Sequence, residues 1–307
     1  FNEQSGLHVD TLSGRYEMDS TGISLKHYLL RIDSTFIKAK YQKLVFEGFD
    51  QMSDFLNLVS IESEITASRI RSRDIGWFVP DFRDLGFDLR LKGSISGPVS
   101  RFKGKNLEVA LTDSTFLQTS FSINGLPDIE NTFLYVNIHN LQGYRNDLKL
   151  IPMLVDEEGQ VPVPEQIAEF GFQGNISGFA TDLITDGTIS TSVGNIYTNL
   201  AYKQFEDKTI KIKGNFSAKS VAIDHLTGDY KMLGKTALTS QINGTFYPEG
   251  GFNAEVDSKI NYFDFNKYRI NDIDINGELT DKAFDGDITV KDKALDMNFT
   301  GHFEYGT

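Results

Sequence analysis

Five histidines, His8, His27, His139, His225 and His302, are the first residues to test for metal or general-base chemistry, and no two stand two or four apart. A metal site built on one strand or helix uses that spacing, so the set reads as surface and strand filler. The chain has no cysteine, which removes disulfides, thiolate nucleophiles and cysteine-ligated zinc or iron–sulfur centres. HExxH, GxSxG, P-loop and GxGxxG patterns are absent from it. The acids offer more. Asp272/Asp274 and Asp285/Asp287 are i,i+2 pairs, and each pair projects onto one face of a strand. Glycoside hydrolysis needs two opposed carboxylates about 5–9 Å apart, which distant strands could assemble. Asp274 flanks the apolar Ile273/Ile275 face, and Asp285-Gly286-Asp287 reads as a turn into Ile288 and Val290. Both pairs therefore read as solvated strand surface. No twelve-residue calcium loop is present. No catalytic residue, metal or cofactor is expected.

Two polar signals remain. Asn175, Asn215, Asn243 and Asn298 begin Asn-x-Ser/Thr triplets, which alternation on wet strand faces produces unaided. Arg69-Ile70-Arg71-Ser72-Arg73 is the one basic cluster, followed at once by Asp74. Lys plus Arg number 30 against 43 Asp plus Glu, a net charge of −13. Nucleic acid rewards basic stripes, so it is excluded as a partner, and the arginines read as a solvated edge or an intrachain ion-pair set.

The elements that would carry any such residues are strands. The 307 residues include 26 isoleucines, 24 phenylalanines and 12 tyrosines against 12 alanines, a strand-forming composition poor in the best helix former. At 39% hydrophobic the chain is too apolar for disorder, and it has no run of 18 apolar residues. Period-two alternation is clearest late in the chain. Phe252, Ala254, Val256, Ser258, Ile260 and Tyr262 form one apolar set, Ile273, Ile275, Gly277 and Leu279 another, and Leu295, Met297, Phe299, Gly301 and Phe303 a third. Alternation marks sheets with one apolar and one wet face. Short Gly/Asn/Asp/Ser breaks predict hairpins and meanders.

Glycines recur in similar settings at Gly93, Gly174, Gly214, Gly244 and Gly277. Spacings of a few tens of residues suit stacked meander units, with each glycine marking a bulge or close backbone approach. Short helical turns are expected over 50–59, over 74–80 ending before Pro80, and over 164–171, where Pro164 would open the helix and Gly171 close it. The polar stretch Asp156-Glu157-Glu158-Gly159 suggests a boundary between a segment 1–160 and a continuing repeat segment 161–307, with one continuous domain as the alternative.

A series of motifs resembles one family. Ser68-Arg69-Ile70-Arg71-Ser72-Arg73-Asp74-Ile75-Gly76-Trp77-Phe78-Val79-Pro80, Phe121-Ser122-Ile123-Asn124-Gly125-Leu126-Pro127-Asp128, Val161-Pro162-Val163-Pro164-Glu165 and Phe172-Gln173-Gly174-Asn175-Ile176-Ser177-Gly178 are similar to parts of the TamB proteins of the Bacteroidetes lineage, within the wider AsmA-like group. The opening Phe1-Asn2-Glu3-Gln4-Ser5-Gly6-Leu7 resembles that family's Phe-x-Glu-x-Ser-Gly-Phe, with Leu7 in place of the usual Phe. The likeness covers residues 1–200 well and the remainder only in style.

The resemblance implies a mainly β fold, an elongated, lengthwise-curled sheet forming a taco-like groove of antiparallel meander units, with one to three short helices. It implies an internal periplasmic segment of a longer protein anchored in the inner membrane. It also implies a role in outer-membrane biogenesis, with phospholipid acyl chains as cargo and a barrel partner of the BamA/TamA kind met elsewhere in the full protein. On that reading Phe252, Val256, Ile260, Leu295, Met297 and Phe299 line the groove, and no catalysis is expected. Two other functions stay open: a scaffold or chaperone for outer-membrane protein insertion, and an extracellular glycan-binding or adhesin module that makes its contacts through tyrosines and Trp77.

Overall fold

A computed structural model describes residues 8–76, 83, 86–151, 155, 159–161, 163–228 and 230–304. The opening motif at 1–7, Trp77 to Pro80, Pro162 and the acids at 156–158 lie outside the described residues. The chain is mainly β and divides into two compact units, Phe1–Val163 and Pro164–Thr307.

The first unit is an antiparallel meander of eight strands: β1 (Val9–Asp19), β2 (Gly22–Ile32), β3 (Thr35–Val45), β4 (Ser60–Arg71), β5 (Asp88–Gly97), β6 (Lys103–Ala110), β7 (Phe116–Asn124) and β8 (Phe133–Tyr144). Each pairs with its sequence neighbours. Among the described residues β1 does not pair with β8, so the sheet is not closed into a barrel. One face follows the expected alternation: Leu25, Gln42, Ser63, Ile95, Gly104, Phe121 and Val136 form a cross-strand row.

Gly93 sits where the β5–β6 register shifts, at φ 131°. A Cβ there would come within 2.7 Å of the Asn106 carbonyl oxygen, so only glycine lets the bulge form. A 3₁₀ turn at Phe49–Asp54 runs into α1 (Phe55–Leu58), beside the expected 50–59 turn, and Val59 beyond it is fully buried. Helix α2 (Ser72–Ile75) follows β4. Here Asp74, itself buried, accepts a hydrogen bond from the Thr35 amide at 2.8 Å, and the Thr35 hydroxyl accepts one from the Arg71 amide at 2.9 Å.

The second unit is a nine-stranded antiparallel meander: β9 (Glu169–Phe179), β10 (Asp182–Thr191), β11 (Gly194–Gln204), β12 (Ile210–Ala222), β13 (Leu233–Phe246), β14 (Phe252–Phe265), β15 (Tyr268–Thr280), β16 (Ala283–Lys291) and β17 (Asp296–Glu304). Pairing again runs only between sequence neighbours among the described residues, and β9 does not meet β17. The helix expected over 164–171 does not form. Pro164 opens a turn closed by the Ile167 amide, and Glu169 and Phe170 are already strand, with Phe170 opposite Thr191. Sheet pairing outweighs the local helix-start signal. Instead α3 (Ile223–Thr227) links β12 to β13 and ends at Gly228, φ 77°.

Asp285-Gly286-Asp287 is not a turn either. It lies inside β16, where Gly286 stands opposite Gly277. The connection that turns the chain there is Thr280–Ala283, with the Thr280 hydroxyl accepting from the Lys282 and Ala283 amides.

Candidate functional site: an open apolar sheet face

Register converts the alternation of the second unit into a lattice. Phe172, Ile189, Ile196, Ala218, Leu238, Ile260, Ile273, Val290 and Met297 form one unbroken row across all nine strands. The row beside it passes through Thr198, Phe216, Ser240, Ser258, Ile275, Ile288 and Phe299. The next passes through Leu200, Gly214, Ile242, Val256, Gly277, Gly286 and Gly301. All point to one side, because side chains alternate along a strand and paired residues share a face.

The rows bring most of the expected lining residues onto this face. Ile260 and Met297 belong to one row. Phe299 ends the row of Ser258, and Val256 opens the row of three successive glycines. Phe252 lies further along β14 and stacks on Phe246, with ring centroids 5.8 Å apart. Leu295 departs from the pattern: it precedes β17, and its carbonyl accepts from the Asp292 amide at 3.0 Å, which places it in the β16–β17 turn.

Every strand of this unit belongs to one meander, so its apolar face has no partner sheet within the unit. Ile242, Val256, Ile260, Phe216 and Ile275 are half-buried, and Met297 at the edge is 38% exposed. A sandwich core would exclude them from solvent. Ala218, Ala254, Ile273 and Val290 are buried on this face, and rings also lie across glycines. Phe284 is buried, with its Cζ 2.9 Å from where a Gly277 Cβ would stand, and Phe172 covers Gly187 in the same way. This pairing of phenylalanine with a diagonal glycine was hidden in the sequence because it depends on register. Thr198, Ser240 and Ser258 interrupt the apolar face, and the Ser240 hydroxyl lies 2.6 Å from that of Ser258.

Several wet-face groups are paired with one another. Asp285 contacts His302 at 3.3 Å, and Asp287 accepts from the Thr300 hydroxyl at 2.5 Å. In the first unit Arg69 and Arg71 share the Asp88 carboxylate at 2.6 and 2.8 Å, the ion-pair set expected of that cluster. The Arg69 hydrogen bonds hold the Asp88 carboxyl below its ordinary range. Asp186 is lowered by the Tyr197 hydroxyl and Asp264 by Arg269. These shifts keep carboxylates charged, whereas a general acid needs the reverse. No group of three His, Asp or Glu side chains that could hold a metal occurs among the described residues. No helix there is long and apolar enough to cross a membrane.

No protein-family model, curated protein or solved structure matches the chain. The second unit is an open antiparallel sheet, largely apolar on one face and polar on the other.

Proposed function

We propose that the chain is a non-enzymatic segment of an AsmA-like, TamB-type protein of the periplasm, whose apolar sheet face shields phospholipid acyl chains in transit toward the outer membrane. The observation that carries this reading is the nine-strand row from Phe172 to Met297, continuous and, but for the buried Ala218, Ile273 and Val290, open at least in part to solvent. An exposed apolar surface of that extent has to meet an apolar partner. Flexible hydrocarbon fits a face of Ile, Val, Leu and Phe broken by glycines, because it needs no directional polar partners. The motif series from Ser68 to Gly178 supports the same family and hence the compartment. In that family a barrel of the BamA/TamA kind would be met by parts of the longer protein.

The test is mass spectrometry of small molecules that co-purify with the intact chain. Phospholipid retained by the native chain and lost from a Val256→Asp/Ile260→Asp variant is the expected result. An empty chain would overturn the lipid reading. Retained unfolded outer-membrane proteins in place of lipid would move the function to a scaffold or chaperone.

A further inference from the structure

Three connections at one end of β12 to β17 join into a single ridge. The Asn266 amide of the β14–β15 turn donates to the Met232 carbonyl, which precedes β13, at 2.6 Å. On the other side the Tyr268 hydroxyl donates to Asp292 of the β16–β17 turn at 2.5 Å, and the Asn271 amide donates to the same carboxylate at 3.0 Å. Tyr230, Met232, Phe265, Tyr268 and Leu295, spread over all three connections, are between 37 and 64% exposed. Apolar surface gathered in one place is costly in water and marks a contact site. Each connection also carries an exposed lysine: Lys231 between Tyr230 and Met232, Lys267 between Phe265 and Tyr268, and Lys293 two residues before Leu295.

We propose that this ridge docks on the surface of an anionic lipid bilayer. Residues 228–235, 264–269 and 291–295 hold six basic residues against three acids, in a chain of net charge −13. Two of those acids are engaged by the protein. Asp264 accepts from Arg269 at 2.7 and 2.9 Å, and Asp292 is the acceptor of Tyr268 and Asn271. An anionic leaflet attracts basic loops that come within a Debye length of it. The side-chain types suit the boundary between water and hydrocarbon. Tyr230 is an amphipathic ring of the kind that sits at headgroup level, and a lysine keeps its ammonium in water above a buried stem. A soluble polyanion would pair with the lysines and leave Met232, Phe265 and Leu295 in water, whereas a bilayer interface takes both.

The opposite end of the same strands supplies a contrast. Its connections also expose rings, Phe205 at 39% and Tyr247 at 49%. Yet residues 205–209, 247–251 and 281–282 hold two basic residues against four acids, which an anionic surface repels. Attraction to the bilayer is therefore confined to one end. The inference uses the turns and not the apolar sheet face, so it holds whether or not that face carries lipid.

Co-sedimentation of the intact chain with vesicles tests it, using mixed phosphatidylglycerol and phosphatidylcholine against phosphatidylcholine alone. Binding to the mixed vesicles should be at least tenfold tighter and should weaken with added salt. A Lys231→Glu/Lys267→Glu/Lys293→Glu variant should lose at least tenfold, and the matching triple arginine variant should keep its binding. Tyr230→Ser/Leu295→Ser should weaken it several-fold, whereas Phe205→Ser/Tyr247→Ser, at the other end, should leave it unchanged. No binding to the mixed vesicles at about 1 mM lipid, or equal binding to both kinds, overturns the proposal. So does binding that survives the triple glutamate variant. Binding lost instead from Val256→Asp/Ile260→Asp would place the contact on the sheet face and overturn it equally.

Discussion

Phe299 and Phe303, four residues apart on β17, bring their ring centroids to 5.8 Å at an interplanar angle of 69° across Gly301. The rings lean together over the glycine between them and cover a stretch of backbone that lacks its own side chain. Gly301 ends a cross-strand row that begins at Val256 and continues through Gly277 and Gly286. The three glycines are not equivalent. A Cβ at Gly301 would meet Phe299 at 3.4 Å, an ordinary contact, whereas one at Gly277 would stand 2.4 Å from the Asp285 carbonyl oxygen and one at Gly286 2.3 Å from that of Asn276. Gly277→Ala and Gly286→Ala should therefore each cost about 1–3 kcal/mol through forced backbone displacement. Gly301→Ala, where φ is 158° but the space around the added Cβ is open, should cost less than either. Urea denaturation of the three variants measures the contrast; equal losses at all three would refute a role for close strand approach at Gly277.

The half-buried row makes a separate demand. An Asp at Val256 or Ile260 sets a charge among Ile242, Ile273 and Gly277, where hydrocarbon would otherwise lie. Displacement of a fluorescent fatty acid should weaken at least tenfold, about 1.4 kcal/mol, for either variant. Thr289→Asp, which points from β16 to the wet face, should leave it unchanged.

In the first unit the hydrogen bond from the Thr35 amide to Asp74 has no solvent to replace it, since Thr35 is 2% and Asp74 4% exposed. Removing the acceptor leaves a buried amide unsatisfied, at a cost of about 1–3 kcal/mol. Asp74→Ala should lower the unfolding midpoint by that measure, and Asp74→Asn, which keeps a carbonyl oxygen, by clearly less. Identical losses would mean that charge, not the hydrogen bond, is what the site uses.

How far these features can be read from the sequence depends on their range. Alternation such as Ile273, Ile275, Gly277 and Leu279 is local, and it locates strands and their apolar face directly. The Asp-Gly-Asp triplet in β16 misleads because glycine between two acids is also turn chemistry. Only the cross-strand partner Gly277 distinguishes the two readings. The β14–β15 hairpin hides its turn for the opposite reason: Asn266 and Lys267 take φ 47° and 65° with no glycine present. The stretch 164–171 carries genuine helix-start residues, overruled by the pairing of Phe170 with Thr191.

A last prediction concerns the β16–β17 turn. Asp292 accepts hydrogen bonds from the Tyr268 hydroxyl at 2.5 Å, from the Asn271 side chain at 2.9 Å and from the Ala294 amide at 2.9 Å. The Ala294 amide is the largest of the influences that hold the Asp292 carboxyl far below its ordinary range. The same Tyr268–Asp292 bond raises the Tyr268 phenol above its ordinary value. The two groups bound the contribution from opposite sides. Asp292, depressed in the folded chain, adds stability that is present above its unfolded value near 4 and is lost as pH falls toward the folded one. Tyr268, raised, adds stability that is full below about 10 and is lost as pH climbs through its folded value. Nuclear magnetic resonance of ring-labelled tyrosine should show Tyr268 titrating above the ordinary tyrosine value. Asp292→Asn should bring Tyr268 back toward the ordinary value, because a neutral amide no longer opposes the phenolate. A Tyr268 titration that the substitution leaves in place would mean that the hydrogen bond does not form in solution.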